Sequence, residues 1–319
     1  MKNKPAILGY PTSNNLGDFI QSIASSQWIL PDKPIALDRD QLNNYCGPKV
    51  KLVMNGWFME QPGNWPPSEN ITPLFISFHL NPTAEKAMLT SAGINYFKKY
   101  QPIGCRDYYT QKTLEKYGIE AYFSACLTLS LKRSSFTKGN ENREGILVIS
   151  PLERLLPQRE KKITRGLKSI LFKGVQKIKQ PLKIKKYKKA MKRLDAYLSQ
   201  FDQETQFRTQ LMSSETDSEL ERIKAAEDQL EAIANAKLVI TSRIHTALPA
   251  AAFGTPVLFL SDGLEHPNQK SRLQGMESFF TIMNTDKLKH QGSQIPEPKI
   301  ISKVILNRFE KELKSFLKE

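Results

Sequence analysis

The stretch AKLVITSRIHTALPAAAFGTPVLFL, residues 236–260, constrains the fold more than any other part of the chain. It opens with an apolar run (Leu238, Val239, Ile240) and turns through Thr241-Ser242-Arg243-Ile244-His245. The small-residue segment that follows, Thr246 to Phe253, predicts a short packed helix. Gly254 ends that helix, and Pro256-Val257-Leu258-Phe259-Leu260 begins a second buried strand. A strand, helix, strand unit of this kind belongs to a parallel sheet, where ligands sit at the carboxyl ends of the strands beside free helix N–H groups. Arg243 and His245 fall at that point, two residues apart, so extended chain would turn both to one side. Arginine offers a planar fork for carboxylate or phosphate, and histidine moves a proton near neutral pH. The plainer reading makes Arg243 a surface ion-pair residue and His245 a helix cap.

Similar alternation recurs along the chain. Pro5 to Pro11 reads as a buried strand, followed by a polar turn, Thr12 to Asp18, and a helix from Phe19 to Trp28 with Asp18 at its amino terminus. Lys51 to Met54 is a strand leading to Asn55-Gly56-Trp57, and Leu74 to Phe78 is another, ending at His79. Between them lies a proline-rich loop holding Trp65. Loops with Trp and Asn suit stacking on and hydrogen-bonding a sugar, although an aromatic beside prolines also packs its own loop. A helix from about Ala84 to Ala92 precedes a strand near Gln101 to Gly104 that ends in Cys105-Arg106-Asp107. Tyr108 to Tyr117 is helical and Glu120 to Ser124 is a strand. Ser134 to Glu144 reads as a linker, and Gly145 to Ser150 opens a second domain.

A chain of 319 residues exceeds one ordinary core, so two domains of about 150 residues each are expected. The pattern predicts an α/β protein with an amino-terminal Rossmann-like domain over 1–138 and a second over 139–298, closed by a terminal helix over 299–319. That helix is marked by Ile300, Val304, Ile305, Phe309, Leu313 and Phe316. The three cysteines, Cys46, Cys105 and Cys126, lack the spacing of a disulfide scaffold or zinc site, and the four histidines do not cluster, so no metal is expected. The amino terminus lacks a signal-peptide core and no apolar run reaches the roughly 18 residues of a membrane span, which points to a cytoplasmic protein.

The net charge of +15 is localised. Between Arg159 and Arg193 fifteen Lys or Arg stand against one acid, Glu160, leaving the remainder near neutral. This is the pattern of a near-neutral enzyme carrying one basic insert, over 159–200, rather than of a nucleic-acid binder. Ile163, Leu167, Ile170, Leu171, Val175 and Ile178 recur at helical spacing; Pro181 is expected to break the helix, and Ile184, Tyr187, Met191, Leu194 and Leu198 form a second stripe. Such a helix suits the inner face of an anionic membrane, with Lys161, Lys162, Arg165, Lys168, Lys173 and Lys177 as contacts. A solvated helical pair packed on the domain is the other reading.

Together the motifs resemble the polysaccharide pyruvyl transferase family. The matching residues are Asn15-Leu16-Gly17-Asp18, Gly104-Cys105-Arg106-Asp107 with Thr110 and Leu114, Cys126-Leu127-Thr128-Leu129, and Val239 to His245 leading to Gly254-Thr255-Pro256-Val257. The resemblance implies two Rossmann-like doubly wound domains facing a cleft, as in GT-B glycosyltransferases. It also implies phosphoenolpyruvate as donor and sole co-substrate, a sugar diol as acceptor, in bacteria often on a polyprenyl-diphosphate carrier, and a cyclic pyruvate ketal in a capsule or exopolysaccharide precursor as product. Arg243 and His245 match the family's Arg-x-His element.

The chemistry agrees with these residues. A donor with a carboxylate and a phosphate requires several cationic forks and a helix amino terminus. Arg243 is expected to clamp it, with Arg106, Lys270 and Thr246 beside it, while His245 donates the proton to the enol carbon. Asp18 or His79 is expected to act as base, with Asn15, Asn55 and Trp57 holding the acceptor. A nucleotide-sugar glycosyltransferase on the same scaffold, and a basic membrane or RNA adaptor without catalysis, are the competing readings.

Overall fold

The structure, a computed structural model, describes residues 3–29, 33–58, 60–139, 142–156, 167–212 and 218–318, with backbone only for 167–180. The first half carries β1 (Lys4–Gly9), α1 (Leu16–Ser26), β2 (Ile35–Asp38), β3 (Val50–Met54) and β4 (Ile71–Phe75), then α2 (Glu85–Met88), α3 (Ser91–Lys99), β5 (Ile103–Cys105), α4 (Tyr108–Glu115) and β6 (Ala121–Phe123). The second half holds β7 (Glu144–Ile149), α5 (Leu167–Leu198), β8 (Thr205–Arg208), α6 (Glu219–Asn235), β9 (Ala236–Thr241), α7 (Ile244–Ala252) and β10 (Val257–Leu260), followed by α8 (Pro267–Lys270), β11 (Thr281–Met283) and α9 (Lys303–Lys318).

Every ladder within the sheets is parallel. The first sheet runs β2-β1-β3-β4 and the second β11-β10-β9-β7-β8, while β5 and β6 pair separately. In both large sheets the strand order reverses beside the first strand, at β1/β3 and at β7/β9, and crevices for ligands open at the carboxyl ends of such reversal points. The mixed α/β architecture with parallel sheets is thus as the sequence led one to expect.

The strand after the proline-rich loop lies earlier than Leu74 to Phe78, because Ser77 turns into the left-handed region at φ 64°. That turn releases Phe78 and His79 from β4 to pair elsewhere. Phe78 N–H donates to the Gly104 carbonyl at 2.9 Å, Arg106 N–H to the Phe78 carbonyl at 2.8 Å, and His79 N–H to the Gly56 carbonyl at 3.1 Å. His79 is thereby fixed between the ends of β3 and β5. The single helix expected over 84–92 is instead two short ones, with Thr90 capping the second through its side chain.

Helix α7 is buried on all sides from Ile244 to Ala251, as its run of small and apolar residues dictates, and packs against α1, α6, β9 and β10. Gly254 follows it at φ 66°, a conformation open to a residue without Cβ. Helix α9 begins at Lys303, leaving Ile300 outside it and exposed, and returns to the first half: Lys51 Nζ donates to the Phe316 carbonyl at 2.7 Å, and Phe309 and Leu313 join the main core.

The expectation that Pro181 breaks the basic helix is corrected. Helix α5 continues through it, since proline removes one backbone donor but its φ is that of a helix. The second stripe then packs on the second sheet: Ala190, Leu194, Tyr197 and Leu198 are buried against Ile146, Val148, Leu238 and Ile240, with Tyr187 and Met191 beside them. Among the described residues no helix is long and apolar enough to cross a membrane.

Candidate functional site

The side chains that face one another between the two halves all follow the carboxyl end of a strand. After β1, Asn15 caps α1, its Oδ1 accepting from Gly17 N–H at 3.2 Å, and Asp18 lies buried in the first turn, accepting from the Ser13 hydroxyl at 2.6 Å. Trp57 follows β3, His79 follows β4, and Arg106 with Asp107 follow β5. From the second half come Arg154 after β7, Gln210 after β8, Arg243 and His245 after β9, and Arg272 after β10. A narrow cavity of about 60 Å³ lies among Asn15, Asp18, Trp57, Arg154, Gln210, Arg243, His245 and Arg272. Larger depressions, of about 850, 880 and 380 Å³, lie elsewhere, and none of these residues lines them.

Gln210 joins the halves. Its Nε2 donates to Asn15 Oδ1 at 3.2 Å, its carbonyl accepts from Leu16 N–H at 2.9 Å, and its Oε1 accepts from the Thr246 hydroxyl. Gly17 sits where any Cβ would come within 2.3 Å of Gln210 Nε2 and 3.0 Å of His245 Cβ, so a larger residue there would displace the Gln210 amide and crowd His245.

Below the cavity Asp107 and His79 form a buried dyad, with 2.5 Å between Oδ2 and Nδ1 and no exposure of either residue. The other carboxylate oxygen accepts from both the amide and the hydroxyl of Thr110, each at 2.9 Å. Burial opposes the charge on Asp107, but His79, Arg106 and these donors outweigh it and hold the carboxyl below its usual range. His79 is pulled down to about 4, by burial first and by Arg106, against the pull of Asp107. The neutral ring keeps its proton on Nδ1, which donates a hydrogen bond to the Asp107 carboxylate, and Nε2 is left as a buried acceptor without a partner among the described residues.

Arg106 is fully buried. Its Nη1 lies 3.5 Å from His245 Nε2 and its Nε 3.8 Å from Asp107, and neither Nε nor Nη2 has a hydrogen-bond partner among the described residues. Arg272 approaches the same space, its guanidinium 5.0 Å from the centre of the Trp57 ring and its Nε likewise unpartnered. Burial, then Arg106, Arg154 and Arg243, lowers the pKa of Arg272. The same crowding acts on His245, which burial, Arg106 and Arg272 push well below its ordinary value. Burial raises Asp18, in spite of Arg39. Unpaired buried cations are costly, and their accumulation marks a place that an anion completes.

Arg243 and His245 do not share one extended face. Helix α7 begins at Ile244, so Arg243 is its cap residue and pairs with Glu153, while His245 turns inward to Arg106. Thr246 is buried with its hydroxyl committed to Gln210. Lys270 is exposed at the end of α8 and does not line the cavity, whereas Arg272 does. Asn55 is buried away from it, donating to the Gln21 carbonyl at 3.0 Å. The Trp57 ring carries Arg272 on its face, so that face is not free for a sugar. Lys161, Lys162 and Arg165 lie outside the described residues, as do the side chains of Lys168, Lys173 and Lys177. Sequence reasoning passed over Arg154, Gln210 and Arg272, although each follows a strand as the chosen residues do. Among the described residues no group of three His, Cys, Asp or Glu is placed to hold a metal.

A model of the polysaccharide pyruvyl transferase family matches residues 76–263, more than half of the chain. The chain belongs to that family. The match covers His79, Arg106, Asp107, Arg243 and His245, and stops short of both Asp18 and Arg272. Membership makes the protein a transferase of polysaccharide biosynthesis. No curated protein matches the chain. Among solved structures it is similar to a functional uncharacterized protein, KP1_0663, from Klebsiella pneumoniae subsp. pneumoniae NTUH-K2044, at 9% identity and a TM-score of 0.48, over 88% of this chain and 93% of that one. It is also similar to the wall teichoic acid polymerase TagF, at 10% identity and a TM-score of 0.41, over 100% of this chain and 85% of the other. Likenesses this distant carry no argument about chemistry.

Proposed function

We propose that the protein transfers a pyruvyl group from phosphoenolpyruvate to two hydroxyls of a sugar in a cell-surface polysaccharide precursor, forming a cyclic ketal. The observation that carries this reading is Arg106, a fully buried guanidinium with two unpartnered nitrogens, facing Arg272 across the same space. A small donor with a carboxylate and a phosphate supplies the missing acceptors from both ends. In this reading the two sheets are Rossmann-like units either side of a cleft, and donor cations come from both: Arg106 from the first, Arg272 and Arg154 from the second. Arg243, held by Glu153, borders the site. The cavity is far smaller than the roughly 300–1,000 Å³ usual for ligand pockets, so donor entry parts the contact at Gln210 and Gly17.

The reaction assigns two protons. One acceptor hydroxyl adds to the donor's C2 while C3 takes a proton and becomes the methyl group; phosphate then leaves, and the second hydroxyl closes the ring on C2 as its proton departs with the phosphate. Burial first, and then Arg106 and Arg272, hold His245 well below its ordinary value in the empty site; the donor's negative charge offsets those arginines and raises its basicity, which makes it the proton donor to C3. His79, oriented by Asp107 and with its buried Nε2 unpartnered among the described residues, is the base for an acceptor hydroxyl that reaches it once the contact between the halves parts. Asp18 lies on the acceptor side of the same cavity.

Calorimetric titration of the purified protein with phosphoenolpyruvate, UDP and CMP tests the reading. Saturable binding of phosphoenolpyruvate with none of either nucleotide is expected. Nucleotide binding without phosphoenolpyruvate binding would replace it with a nucleotide-sugar glycosyltransferase.

A further inference from the structure

Among its described side chains, helix α5 is anchored from Tyr187 onward. There it lays Ala190, Leu194, Tyr197 and Leu198 into the core beneath the second sheet. From Pro181 to Lys186 no residue is buried; Leu182 is 62% exposed and Ile184 39%. Lys185, Lys186, Lys188, Lys189 and Lys192 are exposed alongside, and none of them pairs with an acid of a described residue, while Arg193 pairs with Asp286. The backbone continues as helix to Leu167, so the part before Tyr187 spans about 30 Å at about 1.5 Å per residue. The sequence of that part repeats the same mixture, with Ile170, Leu171, Val175 and Ile178 among Lys168, Lys173, Lys177 and Lys179.

We infer that this basic stretch of α5 docks the protein on an anionic lipid surface. Lysines in this number without acidic partners seek a negatively charged plane, and each contributes about 1 kcal/mol near one, a factor of about five in partition. Exposed leucine and isoleucine among them are wasted on water but enter the acyl boundary of a bilayer. Nucleic acid is the poorer fit, since Tyr187, the aromatic residue of the described lysine cluster, leans on the core instead of standing free to stack on bases. The helix is also coupled to the site: α5 packs against the turn Glu153–Leu155, which delivers Arg154 to the cavity and Glu153 to Arg243. A surface bound through α5 therefore holds the site at a fixed height above it, a geometry suited to an acceptor carried on lipid.

The test is co-sedimentation of the full chain with vesicles of phosphatidylcholine, with and without about one-third phosphatidylglycerol, at about 50 and 500 mM salt. Binding is expected to the anionic vesicles alone and to disappear at the higher salt. Exchanging Lys185, Lys186, Lys188, Lys189 and Lys192 for Gln should lower partition by a hundredfold or more, and Leu182→Ser by several-fold, with melting temperature unchanged because all six side chains are exposed. Equal binding to neutral vesicles, no binding at low salt, or tighter binding to single-stranded RNA than to anionic vesicles at matched salt would overturn the inference. The wild-type comparison of lipids and salts needs no variant, and the vesicle result stands or falls independently of phosphoenolpyruvate titration.

Discussion

Arg106→Met removes one guanidinium from a site where arginines outnumber carboxylates, and keeps an apolar side chain of similar length in its buried position. In the empty protein Arg106 contributes a long contact of 3.5 Å to His245 and a separation of 3.8 Å from Asp107. Asp107 retains its bonds to His79 and Thr110 without it. The variant should accordingly lie within about 1 kcal/mol of wild type, roughly 2–4 °C in melting temperature. Donor affinity should behave quite differently. Truncating one member of a desolvated charge pair costs about 2–5 kcal/mol, which raises the Kd for phosphoenolpyruvate by about 30- to 5,000-fold. Thermal melts read both effects at once. At about 100 times its Kd, phosphoenolpyruvate stabilises wild type by about 2.7 kcal/mol, a rise of roughly 5–10 °C, whereas the same concentration should move the variant by less than about 3 °C. A large loss of stability with undiminished response to phosphoenolpyruvate would make Arg106 a structural ion and refute the donor site.

Asp107→Asn should reduce turnover about 100- to 10,000-fold while changing donor affinity less than about threefold, because it acts through the orientation of His79; with the raising influence of the Asp107 charge gone, the acid limb of the pH–rate profile should move to lower pH. Normal turnover in that variant would remove His79 as base. Stability should also fall as pH drops from about 6.5 toward 4, since the unfolded chain protonates its histidines near 6.5 while native His79 resists to about 4. The unfolded state then binds more protons, with a slope of up to about 1.4 kcal/mol per pH unit for each such histidine. His245 adds in the same direction and Asp18, raised by burial, opposes it. Melting temperatures against pH should show a shallower fall in His79→Asn, and a slope equal to wild type would contradict the assignment.

The 236–260 unit was legible because its two strands and helix differ in composition and a glycine divides them, and the observed β9, α7 and β10 follow it to within a few residues. Arg106 and His79 were legible for the same reason, each standing at the end of an apolar run. Strand β2, only Ile35–Asp38, is too short for an alternation to register, and it earns its place in the sheet from parallel pairing with β1. Positions two apart in sequence depend on where the helix starts. In a strand Arg243 and His245 share a face; once α7 begins at Ile244 they diverge, one to Glu153 and the other to Arg106. Arg272 could not be singled out from Lys270, because both sit in an irregular stretch where no periodicity tells inward from outward.

Arg154, Arg243 and Arg272 line the cavity and Arg106 adjoins it at His245, while Asp107 and Glu153 lie beside arginines of this group and Asp18 is a carboxylate whose charge burial opposes. The arginines outnumber the carboxylates, an excess that a small anion such as a molecule bearing a carboxylate and a phosphate would offset. A nucleoside diphosphate would bring comparable charge but also a base that needs a flat apolar face. Trp57 is the aromatic residue lining the cavity from the first half, and Arg272 already covers it. Arg272 therefore also covers the Trp57 face on which a base could stack from that half. Charge alone leaves both donors open, while the placement of Arg272 over Trp57 favours the donor without a base.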